Sequence, residues 1–84
     1  MRAGDLVYTW SDSVGARTYS DEQMSITSTL GRVPGATPVV LIKQIRDNCW
    51  SALINGQSVF IYQGNLSMAT DSKRRHDPVK MRNL

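Results

Sequence analysis

The side chains that could do chemistry in this 84-residue chain are few, and most stand in its C-terminal run TDSKRRHDPVKMRNL. His76, the one histidine, lies there between Arg75 and Asp77. A general base needs a partner that fixes its ring, and a metal site needs several ligands held together. Asp71, His76 and Asp77 would meet that need only if a polar, proline-bearing segment closed around an ion. Cys49, the one cysteine, is followed by Trp50 in a strand-like stretch with no histidine nearby to favour its thiolate, and it reads as a small buried residue. A single cysteine also excludes an intrachain disulfide and a cysteine-based metal site, which suits a reducing compartment. Gly31 and Gly35 are not followed by the Gly-Lys-Ser/Thr of a phosphate loop. The expectation is a protein without catalytic residues, metal or cofactor.

The cations carry a different message. The net charge is +3, and residues 70–84 hold Lys73, Arg74, Arg75, Lys80 and Arg82 against Asp71 and Asp77. Residues 1–69 carry five cations and five anions, so the body is neutral and the basic character belongs to the tail. Those five cations could neutralise phosphates in a salt-dependent, sequence-blind contact, or serve as an assembly arm. A neutral body argues against a broad nucleic-acid surface, which ranks nucleic acid behind protein as the partner.

An apolar fraction of 40% with 20% charged residues fits a folded chain, and the length allows one domain. The domain is expected over residues 1–69, with 70–84 as a flexible basic tail. The longest aliphatic run, Val39 to Ile42, falls far short of the ~20 residues of a membrane helix. Ala3-Gly4-Asp5 near the start does not read as a secretory signal, so the glycosylation pattern Asn65-Leu66-Ser67 is taken as chance.

Apolar residues recur with period two, the mark of strands. "GDLVYTW" predicts a first strand at Leu6 to Trp10 with Val7 and Thr9 on one side; residues 11–23 read as a polar excursion. "MSITSTL" predicts a second strand, Met24 to Leu30, and "GRVPGATP" a loop, with Pro38 at most its exit into "VVLIKQI". "CWSALI" and "QSVFIY" flank Asn55-Gly56, the pair that best tolerates the positive φ angles of a tight hairpin turn. A short last strand follows at Ser67 to Ala69.

With a two-residue Asn55-Gly56 loop, Ile54 opposes Gln57, Ala52 opposes Val59 and Trp50 opposes Ile61. A three-residue loop at Arg46-Asp47-Asn48 would then set Ile42 against Ala52 and Val40 against Ile54. One face so built, Val40, Ile42, Trp50, Ala52, Ile54, Val59 and Ile61, is a core. The other, with Val39, Leu41, Lys43, Ile45, Cys49, Ser51, Leu53, Ser58, Phe60 and Tyr62, is mixed. Burial of a large aliphatic or aromatic side chain contributes ~1.5–3 kcal/mol, so this second face calls for a cover: residues 11–37, a second copy, or another protein. Leu41, Lys43, Leu53, Phe60 and Tyr62 are the candidate partner-binding residues on it.

Five short strands, a long first loop and a tight hairpin predict an all-β fold, a small five-stranded barrel. The stretches "GDLV", "VVLI" and "CWSALINGQSVFIYQGNL" resemble the small SH3-like barrel proteins of tailed bacteriophages, over about three quarters of the chain. That resemblance implies a binding module, acting in the virion or the infected cytoplasm, as a structural, decoration or adaptor component or as a modulator of a host protein. A third role uses the basic tail on nucleic acid. The chain departs from peptide-binding SH3 domains: beyond Asp21-Glu22 the first loop has no acidic cluster, and Tyr8, Trp10 and Tyr19 read as core and loop anchors ahead of an aromatic groove.

Overall fold

The period-two segments form strands in the computed structural model, which describes residues 1–11 and 15–68. Seven strands result: β1 (Leu6–Thr9), β2 (Ala16–Tyr19), β3 (Thr29–Val33), β4 (Pro38–Arg46), β5 (Cys49–Ile54), β6 (Gln57–Tyr62) and β7 (Leu66–Ser67). All pairings are antiparallel, in the order β3-β2-β6-β5-β4-β1-β7, and the sheet curls into a half-barrel. The fold is therefore all-β as expected, with seven strands where the sequence suggested five. Among the described residues no helix is long and apolar enough to cross a membrane. The expected tail, 70–84, lies outside the described residues.

The β5–β6 hairpin follows its turn chemistry. Asn55 and Gly56 take φ of 51° and 79°, and the pairs Ile54–Gln57, Ala52–Val59 and Trp50–Ile61 form as read. Strand β4 does not follow the expected register. The turn before β5 is Asp47-Asn48, with Asn48 at φ 64°, and Arg46 already pairs with Cys49. Two irregularities, between Leu41 and Lys43 and between Gln44 and Arg46, then bring Leu41 opposite Ala52 and Val40 opposite Leu53. A one-residue slip exchanges the faces of a strand. Val39 and Leu41 thus enter the core, while Val40 and Ile42 face out.

Two further expectations are corrected. The excursion 11–23 contains β2, whose Ala16, Thr18 and Tyr19 are buried. The alternation from Met24 to Leu30 is not a strand: Met24 takes φ 56°, Ile26–Ser28 make one 3₁₀ turn, and β3 starts only at Thr29. Hydroxyls drive this, since Ser28 Oγ donates to the Ser25 carbonyl (2.8 Å) and Thr29 Oγ1 to that of Ile26 (2.8 Å). Short polar side chains offer the backbone such local alternatives to a ladder. The last strand is Leu66–Ser67.

The inner face holds one continuous core, Val7, Val39, Leu41, Trp50, Ala52, Ile54, Val59, Ile61 and Leu66, joined by Ala16 and by the partly buried Val33. Thr9 is the polar pin at its end. Its hydroxyl donates to the Pro34 carbonyl (2.7 Å) and accepts from the Thr37 N–H (2.9 Å), which ties the β3–β4 connection to β1. Gly35 is needed in that connection because a Cβ there would stand 2.6 Å from the Trp10 carbonyl oxygen and 2.8 Å from that of Ser11. Both indoles reach one corner: Trp10 Nε1–H donates to the Gly64 carbonyl (2.9 Å) and Trp50 Nε1–H to Gln63 Oε1 (2.8 Å).

Candidate docking surface

The outer face of the sheet has two halves with different fates. One is covered by the chain itself. Tyr19 pairs with Phe60, and Tyr19, Met24 and Cys49 form a second buried cluster against which Phe60 and Ile45 pack. Asp21 positions Met24 there: its carboxylate accepts from the Met24 N–H (2.8 Å) and its carbonyl accepts from the same group (3.0 Å). From β4, Arg46 closes the turn by donating to the carbonyls of Glu22 (2.8 Å) and Gln23 (3.4 Å). The cover expected from residues 11–37 is thus supplied by Tyr19 and Met24, over this half alone.

The other half is bare. Leu6 pairs with Val40 and Val40 with Leu53, so these three side chains form one apolar row across β1, β4 and β5. They are 51%, 40% and 37% exposed, and the adjoining Ile42 is 45% exposed. Ser58 ends the row on β6, opposite Leu53. Lys43 is exposed beside Ile42 and opposite Ser51, the one cation close to the row on β4. Tyr62, opposite Cys49, is exposed beside the covered half, with its ring edge-on to that of Tyr19 (centroids 5.8 Å apart, planes at 85°).

Of the expected partner-binding residues, Lys43, Leu53 and Tyr62 are therefore accessible on the outer face, and Phe60 is half-buried under Tyr19. Leu41 is corrected: it is 1% exposed, an inner-face residue of the core, because of the shifted β4 register. Leu6, Val40 and Ile42 take its place. The signal for Val40 and Ile42 was present in the unbroken run Val39 to Ile42, where each residue must face one side or the other, but the irregularity between Leu41 and Lys43 decides which. Lys73, Arg74, Arg75, Lys80 and Arg82 lie outside the described residues, as do Asp71, His76 and Asp77.

Tyr8, Trp10 and Tyr19 do not line a common groove, since Tyr19 belongs to the second cluster while Trp10 is tied to Gly64. Cys49 is buried in that same cluster, away from any approaching substrate. Among the described residues no three of His, Cys, Asp and Glu come together as a metal site would require. What the bare half offers is an apolar row across three strands with Lys43 beside it. No protein-family model, curated protein or solved structure matches the chain.

Proposed function

We propose that this chain is a non-enzymatic protein-interaction module that docks through the bare half of its outer face, around Leu6, Val40, Ile42 and Leu53, with Lys43 at the margin and the exposed Tyr62 farther along β6. The observation that carries the reading is the continuous apolar row across three strands. Single exposed hydrophobic side chains are ordinary, whereas contiguous ones mark contact sites. Removing such area from water contributes roughly 25 cal/mol per Å². The resemblance to SH3-like phage proteins supports a role as a structural, decoration or adaptor component of a particle, and the same surface would equally serve binding to a host protein.

The test compares the full chain with its Leu53→Asp and Val40→Asp variants. Light scattering across a concentration series reads self-association, and affinity capture from bacterial extract reads a partner. Docking through the row predicts an association that persists in high salt and is lost in both variants while their folding transition is kept. The same association in wild type and variants would reject the surface. An association that instead collapses with salt and with neutralisation of Arg74 and Arg75 would assign the binding to nucleic acid through the tail.

A further inference from the structure

A second surface, independent of the apolar row, lies at the free edge of the half-barrel. Among the described residues strand β3 is hydrogen-bonded to a strand on one side only, being the end of the sheet. An edge strand presents unpaired N–H and C=O groups to any extended chain beside it. Along β3 runs a groove of about 170 Å³, where Thr18, Val33, Ile54 and Val59 meet Asn55 and Gln57 of the β5–β6 turn, with Leu30 to Val33 as its β3 wall. A cavity of ~150 Å³ holds a benzene ring, so this open, mixed groove has room for one side chain, which Val33, Ile54 and Val59 would meet as its apolar part.

Charge decides what kind of chain fits. Arg17 and Arg32 stand directly opposite each other on β2 and β3. Like charges in facing cross-strand positions repel and cost stability. Among the described residues neither has a carboxylate partner, and Arg32 makes a long hydrogen bond to the Gly15 carbonyl (3.3 Å). A second copy of β3 added to this edge would bring further arginines to the same place, which disfavours self-pairing. A strand carrying carboxylates on that face would relieve the repulsion instead, with the bidentate geometry that guanidinium and carboxylate share.

We propose that the β3 edge accepts an extended peptide strand of alternating acidic and apolar residues, the acids beside Arg17 and Arg32 and one apolar side chain in the groove. Strand alternation makes both demands compatible, because successive side chains of the added strand face opposite sides of the sheet.

The probe is a labelled hexapeptide alternating glutamate and valine, read by fluorescence anisotropy and by amide shifts of Leu30 to Val33 in the full chain. The acidic peptide should bind at least ~10-fold more tightly than its lysine counterpart and weaken as salt is added. Arg17→Glu and Arg32→Glu should each remove that preference and the double variant should reverse it, and the C-terminal cations, unchanged in all of them, give only a common background. Methylation of the peptide's alternate backbone nitrogens should abolish binding with side chains intact, a result that holds even if an arginine variant fails to fold. Leu53→Asp should leave this binding as it is, which separates this edge from the outer face. Equal affinity for the acidic and lysine peptides, binding that tolerates backbone methylation, or an oligothymidylate that shifts the same amides when the acidic peptide does not, would each overturn the proposal.

Discussion

Thr9 and Gly35 show how much of this fold hangs on residues that a hydrophobicity pattern passes over. Thr9 is fully buried, and its hydroxyl serves both the Pro34 carbonyl and the Thr37 N–H. Thr9→Val keeps the shape and removes the hydroxyl; the Pro34 carbonyl retains the Thr37 hydroxyl (2.6 Å), but the Thr37 N–H loses its acceptor. The expected loss is ~1–3 kcal/mol in urea unfolding with an unchanged m-value. Gly35→Ala sets a Cβ against two carbonyl oxygens of the backbone and should cost ~2–3 kcal/mol, with Ala36→Gly beside it near neutral because Ala36 already takes φ 61°. Neither residue advertises its role in sequence. Alternation along "LVYTW" places Thr9 on the same side as Val7, yet nothing in the letters says that its oxygen closes a loop 25 residues away.

Among the elements, the β5–β6 hairpin was legible because two residues with a strong conformational preference specify its register. Asn55 at φ 51° is the lever: Asn55→Ala should cost ~1–2 kcal/mol, read as a lower urea midpoint. Strand β4 was not legible to better than one residue. Val39, Val40, Leu41 and Ile42 are all apolar, so no alternation marks the inner side, and the two irregularities opposite β5 cannot be seen without the partner strand. The register makes a sharp contrast testable. Leu41→Lys should cost more than ~4 kcal/mol or prevent folding, whereas Val40→Lys should stay within ~0.5 kcal/mol of wild type. Equal effects would mean that the two side chains share one environment. Strand β2 escaped the sequence for another reason: Ala16-Arg17-Thr18-Tyr19 buries a small and a polar side chain on the inner side, and burial of threonine leaves no hydrophobic trace.

For the molecule as a whole, function follows from what the half-barrel leaves open. Curling brings the chain's own residues over Cys49 and Phe60 but stops short of Leu6, Val40 and Leu53, and among the described residues one edge of β3 has no strand beside it. The mixed character of the outer face could be read from the sequence; its division into a covered and a bare half could not, since it depends on where Met24 lands. If the bare half docks apolar surface, complex formation should carry a negative heat-capacity change and little dependence on salt, both measurable by calorimetry at several temperatures. The corner at Gln63 and Gly64 adds a practical handle. Because both indoles grip that corner, the protein's natural emission is a two-antenna gauge trained on the turn that joins β6 to β7. Any displacement of β7, whose Leu66 and Ser67 follow that turn directly and pair with Thr9 and Tyr8, would be passed to both emitters through Gly64 and Gln63.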